Sequence, residues 1–331
     1  MSGPALVTGG SGVVGRALVK RLVADGRAVR ALARSELSER TLRDLGAEPV
    51  TGDVLDGPSV EHAARGCSTV FHVAGVNAMC MRDPRPMLRT NVEGSATVVR
   101  AASAAGVARV VYTSSASAIG EAHGNIGRED SQHRGSYLSN YERSKHVAER
   151  RVLETAAETG IDVVTVNPSS VQGPGRATGS ARLLLDVVNG RLPLLVDTTI
   201  SLVDIDDCTE GHLLAETRGA PGERYVLSGV TFTIREAVTL LRRIWGLPER
   251  VRFAPAWVAS AGGAAIGAGA SVLRRDPPVC PEAVRTLLHG HRYDGSRATR
   301  ELGLSYTPVE ETIRRTLAWC ADRGLVPPAR A

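Results

Sequence analysis

The stretch "ALVTGGSGVVGRALVKRLVADGRAVRALARS" leaves this chain few folds to choose from. A short apolar run, Ala5 to Val7, meets glycines at 9, 12 and 15, then a helix-patterned run from Val13 to Ala24 and a second apolar run from Ala28 to Ala33. This reads as strand, glycine turn, helix and strand, the opening unit of an α/β fold. Gly9 permits the tight turn, Gly12 lets the backbone approach a pyrophosphate, and Gly15 lets helix and strand pack closely. The unpaired N–H groups and dipole of a helix N-terminus favour an anion, so the turn of Gly9, Ser11, Gly12, Val13 and Val14 is expected to hold a dinucleotide.

The end of the second strand indicates which dinucleotide. A carboxylate there accepts from a ribose 2′-OH, whereas an arginine accommodates a 2′-phosphate. Here the strand ends in "RALARS", with Arg34 in place and no carboxylate before Glu36. NADP(H) is therefore the expected cofactor, with NAD(H) as the alternative.

The alternation continues. "AEPVTGDVLD" reads as a third strand ending in Asp53, "CSTVFHVAG" as a fourth ending at Gly75, and "ARVVYTSSASAIG" as a fifth, with helical stretches between them. One of these begins at Asn91. Strand and helix in strict turn predict an α/β fold, a Rossmann-type doubly wound parallel sheet covered on both faces. Ligands in such folds bind outside the carboxyl ends of the strands, where Asp53, Val73, Ala74, Gly75 and Ser115 fall.

Composition excludes other classes. With 43% hydrophobic and 23% charged residues over 331 positions, a sizeable core is expected. The net charge of +5 comes from arginines scattered as pairs, such as Arg150-Arg151 and Arg314-Arg315, with acids nearby, which argues against nucleic-acid binding. The five cysteines contain no C-x-x-C and the eight histidines no metal-ligand spacing. A reducing, metal-free, cytoplasmic protein without a closed disulfide framework is expected, and no charged segment of signal-peptide type precedes the first strand. The uncharged stretch Ala254 to Leu273 is long enough for a membrane span, but its alanines and glycines insert weakly. It reads as a buried helix, with peripheral membrane contact as the alternative.

The fifth strand ends in "TSS", and "YERSK" follows, with Tyr141 and Lys145 one helical turn apart on one face. A free tyrosine, with a pKa of about 10, needs a nearby cation to work as an acid/base at neutral pH, and Lys145 can be that cation. Taken in order, "TGGSGVVG", "GDVLD", "HVAG", "NVEG", "YTSSAS", "YERSK" and "NPSSVQGPG" make the chain resemble the extended short-chain dehydrogenase/reductase superfamily. "LPLLVDTTISLVDIDDCTEGHLLA", "GERYVLSG" and "YDGSRATRELGLSYTPVEETI" extend the likeness over nearly the whole length. Within that superfamily it looks most like the dihydroflavonol-4-reductase-like branch, which includes proteins described as hopanoid-associated sugar epimerases.

The resemblance implies catalysis by Ser115, Tyr141 and Lys145. Tyr141 delivers the proton, Ser115 (with Ser114 as fallback) holds the substrate oxygen, and Lys145 also bonds the nicotinamide ribose. It places Gly9, Gly12, Val13 and Val14 at the pyrophosphate, Asp53 and Val54 at the adenine, and Val73 and Ala74 on the ribose side. Pro168, Ser170 and Val171 fall at the nicotinamide amide. Asn91 is expected to fix backbone geometry, and His72 to be a satisfied core histidine.

It also implies a smaller C-terminal substrate lobe built from two segments, 169–195 and 229–331, against a cofactor domain of 1–168 and 196–228. A homodimer is expected by resemblance alone. Nucleotide-sugar enzymes of the superfamily commonly carry an arginine just before the "D-D" segment. Here "VDTTISLVDIDD" has no Arg or Lys between Arg191 and Arg218, so a diphosphate would lack a bidentate partner. The expected activity is reduction of a ketone, or oxidation of a secondary alcohol, on a hydrophobic, polycyclic, steroid-, flavonoid- or polyketide-like small molecule. The alternative is a nucleotide-sugar 4-epimerase with tightly retained NAD. A dinucleotide-sensing regulator is disfavoured, because both Tyr141 and Lys145 are present.

Overall fold

The computed structural model describes residues 3–192, 194–246, 251–262, 264 and 280–329. Its strands are β1 (Ala5–Thr8), β2 (Val29–Ala33), β3 (Glu48–Thr51), β4 (Thr69–His72), β5 (Arg109–Thr113) and β6 (Asp162–Pro168). These are followed by β7 (Ser170–Gln172), β8 (Leu194–Val196), β9 (Thr199–Asp204), β10 (Arg224–Leu227), β11 (Val230–Thr233) and β12 (Arg252–Ala254). Seven strands form one sheet in the order β10-β6-β5-β4-β1-β2-β3, and every pairing in it is parallel.

A parallel sheet must be covered on both faces, and its strands alternate between two cores. Val7, Phe71, Val111 and Val164 point to one core, shared with α1 (Val13–Ala24) and α2 (Glu36–Asp44). Leu6, Val70, Val110 and Tyr112 point to the other. That core also takes in α3 (Gly57–Ala64), α5 (Gly94–Ala104) and α6 (Asn140–Thr159), while the short α4 (Arg85–Leu88) precedes α5. The chain runs outward from β1 through β2 to β3, then returns to β4 and proceeds the other way. The reversal between β1 and β4 opens a crevice at the carboxyl edge of the sheet.

Three local expectations change. The third strand stops at Thr51 and the fourth at His72, so Asp53, Val73, Ala74 and Gly75 lie in the loops beyond the ladder. Asn91 does not begin a helix; it sits in a wide turn, Arg89–Glu93, joining α4 to α5. Side-chain demands explain this turn, because Asn91 must reach back to the loop after β4.

A third core lies beyond the large sheet. β7, β9 and β11 form a mixed three-stranded sheet, and β8 pairs with β12. Around them pack α7 (Ser180–Val188), α9 (Ile234–Trp245) and the helix Val309–Ala321, burying Leu185, Leu202, Val238, Leu241, Trp245, Ile313 and Leu317. Helix α8 (Ile205–Arg218) returns to the large sheet, packing against α1 and β6.

Of the uncharged stretch Ala254 to Leu273, residues 263 and 265–273 lie outside the described residues. The described part is not buried, and Trp257 is 71% exposed. Among the described residues no helix is long and apolar enough to cross a membrane. The expected absence of a disulfide is also corrected: Cys80 and Cys280, 200 positions apart, are bonded. Spacing could not show this, because only the packed chain brings the two together.

Candidate active site

The glycine turn is shaped by contact. Gly9 has φ +71°, and a Cβ there would lie 2.6 Å from the Ala74 nitrogen; a Cβ on Gly15 would lie 2.1 Å from the Gly9 carbonyl oxygen. Any side chain at either position would force β1 away from the β4 loop or from α1. Gly12 differs. It precedes α1, and a Cβ there would meet only the Gly9 carbonyl, at 3.2 Å. The space beside Gly12 at the N-terminus of α1 is therefore free of side chains, which suits a pyrophosphate. Ser11 keeps the turn in place by accepting Arg16 Nε–H on its carbonyl at 2.7 Å.

Around the turn, Arg34 follows β2 and lies 3.7 Å from Asp53, both side chains largely exposed. Asp53 also accepts the Leu55 N–H at 2.9 Å. Val54 and Val171 are buried in the two cores, so only their backbone can face a cofactor. Pro168 ends β6 and Ser170 opens β7, at the same edge. His72 is a core cross-link: Nδ1 lies 2.7 Å from Thr8 Oγ1 and Nε2 lies 2.9 Å from Ser95 Oγ. Burial, and then the Lys145 charge, push its pKa down to about 3.

β5 and α6 present the candidate catalytic groups. Ser115 caps a short turn, Ala116–Ile119, accepting the Ser117 N–H on its hydroxyl at 3.3 Å. Its carbonyl accepts from Asn167 Nδ2 at 3.1 Å, and the same nitrogen donates to Glu149 at 2.7 Å. Ser139 caps α6 by accepting the Glu142 N–H, so Tyr141 stands in the first turn, with Lys145 one turn on. Asn91 joins the two walls. It accepts the Val76 N–H at 2.7 Å and donates from Nδ2 to the Val76 carbonyl at 3.0 Å and to Ser144 Oγ at 2.9 Å.

Lys145 is 6% exposed and donates to the Thr113 carbonyl at 2.9 Å. Burial lowers its pKa to about 8, and the Glu149 carboxylate works against the fall. Burial raises the Tyr141 phenol; the nearby Ser115 hydroxyl and the charge of Arg176 pull it back down. Lys145, the expected tuner, has its ammonium held on β5, and the Arg176 charge also favours the phenolate. Arg176, from the loop after β7, was missed in the sequence because a Gly/Pro-rich segment has no periodicity from which direction can be read.

The structure thus brings Gly9, Gly12, Ala74, Ser115, Tyr141, Lys145, Pro168 and Ser170 to one sheet edge, with Arg34 and Asp53 at its far end.

Comparison with known proteins places this geometry in context. Residues 5–228 match the model of the NAD dependent epimerase/dehydratase family. The chain is 33% identical over 329 residues, 97% of this chain and 95% of the other, to the "Putative dihydroflavonol 4-reductase" of Synechocystis sp., and 33% identical over 340 residues, 97% of this chain and 99% of the other, to "Sterol demethylase protein B" of Methylococcus capsulatus. It is 32% identical, over 90% of each chain, to the "4-hydroxy-2-methyl-3-oxo-4-farnesyl-3,4-dihydroquinoline-1-oxide ketoreductase" of Stigmatella aurantiaca. The solved structure "Crystal structure of gox2253" superposes with a TM-score of 0.84 at 29% identity, covering 97% of this chain and 99% of the other. With its glycine turn, parallel sheet and reductase relatives, the chain is an enzyme belonging to the NAD dependent epimerase/dehydratase family.

Proposed function

We propose that this protein reduces a ketone, or oxidises the corresponding secondary alcohol, on a hydrophobic small molecule, with NADP(H) as the preferred cofactor. The observation that carries this reading is the gathering of Ser115, Tyr141 and buried Lys145 at the strand ends next to the open Gly12 turn, with Lys145 fixed on the end of β5. Bound at that turn, the nicotinamide dinucleotide supplies or takes up the hydride.

The chain's own residues do the rest. Ser115 donates to the substrate oxygen and polarises it, and Tyr141 gives that oxygen its proton. Lys145, fixed by Thr113, offers its remaining N–H groups toward the nicotinamide ribose. Gly9, Ser11, Gly12, Val13 and Val14 hold the pyrophosphate, Arg34 a 2′-phosphate, and Asp53 with the Val54 backbone the adenine. The Val73, Ala74 and Gly75 backbone lies on the ribose side, with Pro168, Ser170 and the Val171 backbone at the carboxamide. Segments 169–195 and 229–331 form the lobe that covers the substrate.

The apolar substrate class rests on the lack of Arg or Lys between Arg191 and Arg218, and on relatives named for a sterol and for a farnesylated ring. The test is a panel of polycyclic and aliphatic ketones assayed with NADPH and with NADH. Turnover of apolar ketones with NADPH is expected; inertness of the whole panel would reject the reading.

Arg176 beside Tyr141 favours a second reading, a nucleotide-sugar 4-epimerase, because it supplies a cation that the "D-D" segment lacks. Native mass spectrometry separates the two. An epimerase keeps its nucleotide through purification and turns over sugar nucleotides with no net change in nicotinamide absorbance.

A further inference from the structure

The loop between β4 and α4 runs along the candidate site before it reaches the helix Pro281–His289. At Gly75 it passes Lys145: a Cβ there would lie 3.3 Å from Nζ. Five residues on, Cys80 is bonded to Cys280, the residue capping the helix Pro281–His289. A single carboxylate reinforces the junction. Glu282 accepts the Cys80 N–H at 2.6 Å, the Asn140 N–H at 3.0 Å and Asn140 Nδ2 at 3.2 Å, and Asn140 is the residue before Tyr141. Cys80 also has φ +64°, the left-handed region a non-glycine residue seldom adopts. The loop, the start of α6 and the C-terminal helix therefore meet at one point.

We propose that Cys80 and Cys280 form a redox clasp, a reversible thiol–disulfide site that holds the β4–α4 loop against the substrate-covering segment beside Tyr141. This rests on the site reading given under Proposed function. A disulfide with one accessible sulfur is open to exchange with thiols in solution. The two sulfurs are unequal: Cys80 is partly exposed, whereas Cys280 is 6% exposed at the start of a helix, so exchange begins at Cys80.

The exchange partner is a low-molecular-weight thiol or its disulfide. On reduction, its thiolate attacks Cys80 Sγ and Cys280 leaves as thiolate; a second thiol then displaces the mixed disulfide. The protein gains two electrons and two protons as two thiols become one disulfide, and oxidation is the reverse. Cys67, Cys208 and Cys320 are buried and do not compete.

A closed clasp orders the loop before substrate arrives, so opening it adds an ordering cost to binding. The test treats the wild type and C80S with glutathione disulfide or with a phosphine reductant. Cross-linked peptides are mapped by mass spectrometry, and hydrogen exchange is followed over residues 73–84. KM is measured for a polycyclic ketone and for cyclohexanone. Oxidised wild type should yield the Cys80–Cys280 peptide. Reduction should speed exchange in the loop and raise KM for the polycyclic ketone about threefold or more, with cyclohexanone and NADPH affinity little changed. C80S should behave as reduced wild type in either condition. Failure to form the cross-link, or equal loop exchange in both redox states, overturns the proposal. Exchange and cross-linking need no turnover, so they decide the clasp even if every ketone proves inert.

Discussion

Lys145 Nζ reaches across from α6 to donate to the Thr113 carbonyl at 2.9 Å, tying the helix that carries Tyr141 to the end of the strand that carries Ser115. One hydrogen bond therefore sets the distance between the two candidate groups that act on the substrate oxygen. It also fixes the ammonium 5.6 Å above the Tyr112 ring, in a buried place where its charge is kept by Glu149.

Removing the phenolic oxygen tests the proton donor. Tyr141→Phe should lower kcat for ketone reduction by about a thousandfold or more, with NADPH affinity within about twofold. Steady-state kinetics and nucleotide fluorescence titration measure the two separately. Loss of nucleotide binding together with turnover would make Tyr141 a structural residue.

Gly75 passes close to the ammonium on the side of the β4–α4 loop. A methyl group there would lie 3.3 Å from both Lys145 Nζ and Asn91 Oδ1. Gly75→Ala should displace the lysine and raise KM for the nicotinamide cofactor about tenfold, with thermal stability changed by about 1 kcal/mol or less. Titration with NADPH, alongside thermal unfolding, is the check.

Arg176 lowers the Tyr141 pKa by its charge, so Arg176→Met should raise it. Alcohol oxidation needs the phenolate, and the rising limb of its pH–rate profile should move to higher pH in the variant. Ketone reduction needs the protonated phenol and should keep its rate at neutral pH. An oxidation profile identical to that of the wild type would remove Arg176 from the electrostatics of the site.

Arg34 is exposed beyond β2 and only loosely paired with Asp53, leaving its guanidinium available to a 2′-phosphate. Arg34→Gln should lower kcat/KM for NADPH about tenfold or more and leave NADH within about twofold. Equal losses for both cofactors would sink the assignment.

Acid should unfold the protein through two histidines. Burial depresses His72 to about 3 and His212 to about 4, both from an ordinary value of 6.5. A histidine whose native pKa lies below its unfolded one binds its proton more readily in the unfolded chain, so stability falls as pH drops from about 6.5 toward 4. Urea midpoints measured from pH 7 to pH 4 should decline, and His72→Gln should flatten the decline.

The glycine spacing, the strand–helix alternation and the order of "TSS" and "YERSK" are local patterns, and each forces its own piece of backbone whatever surrounds it. The sequence by itself therefore determined the α/β class, the parallel sheet and the edge where Gly9, Ser115, Tyr141 and Lys145 gather. Contacts between distant segments were left to the tertiary structure. The Cys80–Cys280 bond and the approach of Arg176 to Tyr141 depend on where loops with no periodicity come to rest, and the seat of Lys145 on Thr113 on how α6 packs against β5. These contacts are placed by the packing of the three cores, through interactions 32 to 200 residues apart that no local window contains.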